Sequence, residues 1–236
     1  QVSEEWGGYG LTHRETATVL RASGYSLLGP IAMNCMAPDE GNMHLLEKVA
    51  TPAQKQRFLA PLAAGEIRSA FLMTEPDGGA GSDPDMMLTT ARLDGNEWVI
   101  DGRKWLITGA TGASFGIVMA RTGDHATMFL TPMDARGLVI ERVLDTMDVG
   151  IPGGHAVIRL EGLRVPMDMV LGAPNEGFRY AQVRLAPARL THCERWWGAA
   201  LPTGTVTLVL ADVSRMSPRD AEDSMDEVAR AHRGHC

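Results

Sequence analysis

The sequence predicts an α+β protein: a helical N-terminal segment, a central antiparallel β-barrel or sandwich domain, and a second helical stretch beyond it. Three observations carry that prediction. Before Ile67 the apolar residues recur at three- and four-residue steps, the spacing of one helix face. After Ile67 they recur at two-residue steps, in short runs separated by Gly, Asp and Pro. Such runs suit strands joined by tight turns better than βαβ units. Near Pro174 the helical spacing returns.

Taken in order, Leu11 to Leu28 reads as a helix stopped by Gly29-Pro30, and Ile31 to Asp39 as a loop of small and polar groups. Gly41 to Val49 is a second short helix. Thr51 then offers an N-cap hydroxyl, Pro52 the first helical position and Gly65 the stop, with Phe58, Leu59 and Leu62 as the apolar face. Ala70 to Met73 is a buried strand, broken by Thr74-Glu75-Pro76. Leu88 to Leu93 runs into the turn Asp94-Gly95-Asn96, and Trp98 to Ile100 into Asp101-Gly102, a second hairpin signal. Further strands are expected at Phe115 to Ala120, Thr127 to Leu130, Leu138 to Val143 and His155 to Leu160. The helix after Pro174 continues towards Trp196-Trp197, and Pro187, which lacks a backbone donor, is expected to kink or break it. These changes set domain boundaries at 1–68, 69–173 and 174–200. In the remaining 201–236, Thr203 to Leu210 reads as strand and Met216 to Cys236 as a polar tail.

The 236 residues, 44 % of them hydrophobic, suffice for one or two domains with a core. A net charge of −7 argues against nucleic acid or an anionic membrane as partner. These residues show no signal-peptide pattern and no apolar run long enough to span a bilayer, so neither a leader nor a membrane span is expected. Cys35, Cys193 and Cys236 are few, distant and odd in number, so a disulfide framework is not expected and a reducing cytoplasm is the default compartment.

The chemistry concentrates at Thr74-Glu75-Pro76-Asp77-Gly78-Gly79-Ala80-Gly81-Ser82-Asp83. Glycines let backbone N–H groups approach a ligand closely, and beside hydroxyls they form a nest for phosphate or for the carbonyls of a flavin. By spacing alone an ordinary Gly-rich surface turn has the larger claim, because the loop fits neither the Walker A pattern nor G-x-G-x-x-G. The loop resembles, however, the TEPxAGSD flavin loop of acyl-CoA dehydrogenases, with a short insertion at Asp77-Gly78. Asp101-Gly102-Arg103-Lys104-Trp105-Leu106-Ile107-Thr108-Gly109 is similar to that family's NGxKxWITNG signature. Two signatures in the right order and at a suitable distance make the resemblance specific. It covers roughly Gly7 to Ala200.

The resemblance implies an FAD site formed by Phe71, Met73, Thr74, Gly81, Ser82, Leu106, Ile107 and Thr108. Thr74 would meet the pyrimidine edge, Gly81 and Ser82 the pyrophosphate and substrate channel, and Thr108 the N5 region. Leu106 stands where the family commonly places an aromatic residue, and Trp105 is expected to face the core instead. Arg189 and Ser82 would contact an acyl-CoA substrate, and the acid that often accompanies the arginine is replaced by Ala186. The implied reaction is α,β-dehydrogenation, with electron-transfer flavoprotein as acceptor and a homo-oligomeric assembly. The family's catalytic Glu or Asp belongs to C-terminal helices beyond Ala200, where the resemblance stops. The expectation is therefore a chain truncated at both ends, its tail frameshifted and its activity impaired.

Two other classes compete. One is a catalytically dead flavin-binding remnant. The other is a serine hydrolase, since Gly112-Ala113-Ser114-Phe115-Gly116 fits G-x-S-x-G; that mechanism needs a helix after Ser114, whereas Gly116 to Ala120 reads as strand. A metal site is not expected: His232, His235 and Cys236 lie in the tail, and His155 and His192 are isolated.

Overall fold

The computed structural model describes residues 2–26, 28–76, 78–81, 83–146 and 152–200. The expectations for Thr203 to Leu210, for the tail and its His and Cys residues, and for Ser82 lie outside the described residues. The first third is helical, as its periodicity requires. Helix α1 (His13–Ser23) begins in a capping box, in which Thr12 accepts from the Glu15 amide and Glu15 accepts from that of Thr12. It ends earlier than expected, and Gly29-Pro30 does not stop it. Those two residues open the short helix α2 (Gly29–Ala32), where proline's fixed φ and missing N–H suit a first turn.

Helix α3 (Asp39–Val49) follows. The segment from Pro52 is helical throughout, with α4 (Pro52–Gln54), a π-helical turn (Lys55–Leu59) and α5 (Ala60–Ala63). Its expected cap is present: Thr51 accepts from the Gln54 amide and Gln54 from that of Thr51. The Gln54 side chain also donates to the carbonyls of Asp168 and Val170, at 2.8 and 2.9 Å, tying this helix to the sheet.

The middle of the chain forms eight strands. They are β1 (Ser69–Leu72), β2 (Thr90–Asp94), β3 (Glu97–Thr108), β4 (Phe115–Thr122), β5 (His125–Pro132), β6 (Leu138–Val143), β7 (His155–Pro166) and β8 (Val170–Leu171). They make one sheet in the order β6-β7-β3-β2-β4-β5-β8, with β1 also paired to β4. The sheet does not close on itself, so barrel or sandwich describes it only approximately. Nor is it wholly antiparallel, because β1 and β2 both run parallel to β4. The registers explain this. Leu72 lies opposite Val118 and Thr90 opposite Arg121, so β1 and β2 occupy successive stretches of the same edge of β4. The chain between them, 73–89, leaves that edge and returns to it.

Asp94-Gly95-Asn96 turns as expected, with Asp94 opposite Glu97 and Gly95 at φ +64°. Asp101-Gly102 does not. Strand β3 passes straight through it with a bulge between Ile100 and Gly102, and the Asp101 carboxylate accepts from the Gly162 amide at 2.7 Å. A Cβ at Gly102 would lie 2.4 Å from Thr89 Oγ1 and 2.7 Å from Thr89 Cα, so glycine here serves close strand approach and not a turn.

Helix α6 (Gly177–Ala200) continues through Pro187 without a break and packs against α1 and α3. The core lies between these helices and the sheet, around Leu45, Leu59, Leu62, Leu72, Phe115 and Phe129, each at most 1 % exposed.

Candidate functional site

The excursion 73–89 and the far half of β3 carry the two sequence motifs, and the sheet brings them into contact. Thr74 Oγ1 donates to the Trp105 carbonyl at 2.7 Å, and the Trp105 amide donates to the Thr74 carbonyl at 3.1 Å. This exchange stitches the chain just beyond β1 to the far half of β3. Beside it, Lys104 is fully buried (0 % exposed) and its ammonium donates to the Met73 carbonyl at 3.1 Å and to Glu75 Oε1 at 2.8 Å. The Glu75 carboxylate, 2 % exposed, accepts in addition from the amides of Ala80, Leu88 and Thr89. One buried ion pair thus holds both ends of the excursion.

Its electrostatics follow from burial. Desolvation pushes the Glu75 carboxyl up, but the adjacent Lys104 charge and the hydrogen bonds outweigh it and bring it to about 2. Desolvation dominates for Lys104 and brings it to about 8, with Glu75 opposing the fall. Arg121 on β4 adds a third hold, donating to the carbonyls of Asp85 and Met87.

Strand β3 bulges again after Lys104. Lys104 pairs with Ile158 and Ile107 with Ala156, so Trp105 and Leu106 together oppose a single residue of β7. The bulge overturns the expectation that Trp105 faces the core. Trp105 is 37 % exposed and Leu106, at φ +53°, is 44 % exposed, while Lys104 takes the buried position. Strand alternation holds only while the pairing stays in step. The outcome is an open apolar shelf beside the hydroxyl of Thr74.

The other expected site residues fall as follows. Met73 is half-buried and serves Lys104 through its carbonyl; Gly81 is exposed with open space around its Cα. Ile107 is buried in the core, so only its backbone is available to a ligand. Thr108 is half-buried, with its hydroxyl 3.0 Å from His155 Nδ1. Phe71 is half-buried, its ring 4.0 Å beneath the Arg184 guanidinium. Arg189 is exposed on α6. Ser114 is exposed directly before β4, so a strand and not a helix follows it, and the nucleophile-elbow geometry is absent. Among the described residues, no three His, Cys, Asp or Glu side chains are placed to hold a metal, and no helix is long and apolar enough to cross a membrane.

A small cavity of about 50 Å³ begins one residue beyond Thr108, lined by Met36, Pro38, Asp39, Gly109, Gly112 and Gly153 among others. It has room for a water or two, not for a substrate. Behind it stands a buried polar layer that sequence reasoning missed. Arg195 of α6 pairs with Glu40 of α3 and donates to the Cys35 carbonyl at 2.8 Å; Arg184 donates to Asn42 Oδ1 at 2.7 Å and to the Pro38 carbonyl. Burial lowers Arg184 to about 10. The available signal was Arg184, Thr191 and Arg195 at seven- and four-residue steps on the face of α6 that also carries Gly177, Tyr180 and Gly198.

The arrangement suits a flat ring with polar edges: apolar cover from Trp105 and Leu106, hydroxyls at Thr74 and Thr108, and a glycine-rich backbone fixed from below. The comparisons point the same way. Residues 1–66 match the acyl-CoA dehydrogenase N-terminal domain and residues 70–157 the acyl-CoA dehydrogenase middle domain. The chain is 42 % identical over 200 residues to the probable acyl-CoA dehydrogenase FadE2 of Mycobacterium tuberculosis, covering 81 % of this chain and 49 % of that protein. It is 35 % identical over 202 residues to human acyl-CoA dehydrogenase family member 11, covering 81 % of this chain and 26 % of that one. The chain thus spans about half the length of the first relative and a quarter of the second. A putative acyl-CoA dehydrogenase from Mycobacterium abscessus superposes with a TM-score of 0.79 at 37 % identity, over 95 % of this chain and 58 % of that one. An acyl-CoA dehydrogenase from Bacillus anthracis, solved in complex with FAD, superposes with a TM-score of 0.73 at 26 % identity, over 91 % and 38 %. With the N-terminal and middle domains side by side in one chain, this protein belongs to the acyl-CoA dehydrogenase family.

Proposed function

We propose that this chain is the flavin-binding part of an enzyme that carries out α,β-dehydrogenation of acyl-CoA thioesters, with FAD as its cofactor. The observation that carries the reading is the reciprocal hydrogen bonding of Thr74 and Trp105, which sets both family signatures against one shelf. FAD, when bound, supplies the acceptor for the substrate's hydride. The residues do the rest. Trp105 and Leu106 cover the ring and exclude water. The Thr74 hydroxyl spends its proton on Trp105 and keeps its lone pairs for a ring N–H, while Thr108 offers a hydroxyl whose partner on the protein side is His155. Gly81 leaves open backbone for the pyrophosphate. Arg189, exposed on α6, is assigned to the acyl-CoA. The α-proton must leave to a carboxylate within hydrogen-bond reach; none of the described residues is assigned that role, and the reading gives it to the rest of the family's C-terminal helices.

The test is the visible absorption spectrum of the purified chain after adding FAD and desalting. A retained flavin band supports the reading, and a folded sample that retains none overturns it. Retained flavin without acyl-CoA turnover, using an artificial electron acceptor, selects the alternative of a flavin-binding remnant.

A further inference from the structure

Glu75 and Lys104 are buried and charged, and neither is assigned to the flavin or the substrate above. Ion pairs of this kind are not efficient stabilisers, because two desolvation costs offset their attraction. What distinguishes this one is its wiring. Glu75 follows Thr74 and Lys104 precedes Trp105, so the pair sits immediately behind the reciprocal hydrogen bonds of the shelf. Glu75 also takes amides from the middle of the excursion, at Ala80, and from its return, at Leu88-Thr89, while Lys104 clamps the Met73 carbonyl at its start. The opposite strand presents Ile158 to Lys104. The neighbouring charges are occupied elsewhere: Arg103 and Arg159 pair with Glu141, and Arg121 holds Asp85 and Met87.

We propose that Glu75 and Lys104 form a lock that positions the flavin, holding the glycine loop and the Trp105–Leu106 shelf in their binding geometry without touching the cofactor. The proposal rests on the FAD reading above. The lock works through acceptor geometry as much as charge, since only a carboxylate at position 75 can take three amides and the ammonium together.

The experiment compares the wild-type chain with Glu75→Gln, Lys104→Met, the charge-reversed double variant E75K/K104E, and Leu62→Ala, a core truncation in α5. FAD affinity is read by quenching of flavin fluorescence, and loop opening by hydrogen exchange at the amides of Ala80, Leu88 and Thr89. Glu75→Gln is nearly isosteric and covers the case in which Lys104→Met does not fold. The expected result is at least a tenfold rise in Kd for FAD and at least tenfold faster exchange at those amides in both single variants. The reversed pair is not rescued, because lysine at position 75 accepts nothing. Leu62→Ala, although destabilised, changes neither reading. The proposal is overturned if Glu75→Gln binds FAD and exchanges as the wild type does, if Leu62→Ala matches it, or if the reversed pair restores binding. Failure of the wild-type chain to bind FAD overturns the flavin reading itself and the positioning role with it.

Discussion

At the scale of single residues, Glu75 makes acid sensitivity specific. Its folded value of about 2 lies below the ordinary 4.5, so the stability it contributes is complete above pH 4.5 and is lost as the pH falls towards 2. At 1.36 kcal/mol per unit, that interval is worth about 3 kcal/mol. Unfolding free energies from urea titrations between pH 6 and pH 2 are expected to fall about 3 kcal/mol further in the wild type than in Glu75→Gln. Parallel curves would remove Glu75 as the source. Both members of the pair stood inside the motifs that identified the site, yet nothing in a linear sequence marks residues 29 positions apart as partners. Their contact exists only because the chain leaving β1 is hydrogen-bonded to β3 through Thr74 and Trp105. Trp105 was misjudged for a related reason: alternation predicts its face correctly until a bulge adds a residue, and a bulge leaves no compositional trace here.

At the scale of elements, the sequence was readable wherever local chemistry decides the outcome. Thr51 with Gln54 caps its helix, Asp94-Gly95-Asn96 turns, and each expected strand between Ala70 and Leu160 has a counterpart. It misled where tertiary contact decides. Asp101-Gly102 carries the dipeptide of a tight turn, but the glycine is needed for its missing side chain. Gly102→Ala should therefore lower stability by about 1–3 kcal/mol, as overpacking against Thr89 does. A thermal melt checks this, and an unchanged midpoint would mean that β3 can move away from Thr89 at little cost. Gly29-Pro30 and Pro187 teach the same lesson about proline, which opens α2 and is carried within α6 because its consequences depend on position.

At the scale of the whole molecule, helices and sheet meet through buried polar contacts, not apolar ones alone. Arg195 lies against the Glu40 carboxylate at 6 % and 1 % side-chain exposure, fastening α6 to α3. Arg195→Met removes the cation from a carboxylate that stays buried, and about 3 kcal/mol of stability should go with it, measured by urea unfolding. A loss below 1 kcal/mol would show that α6 is held by its apolar face. The sequence carried only the spacing of Arg184 and Arg195 along one face of α6, a weak signal because arginines on a helix ordinarily face water. The tethering of the excursion has a different consequence, for how the chain can vary in length. Residues 75 and 80 are joined by a 2.8 Å bond from the Glu75 amide to the Ala80 carbonyl, and Gly78 between them, at φ +82°, has open space around it. The insertion expected from the resemblance at Asp77-Gly78 lies between those two anchors in sequence, with Asp77 itself outside the described residues. A residue added beside Gly78 in this chain should therefore leave both anchors, and the shelf they serve, in place.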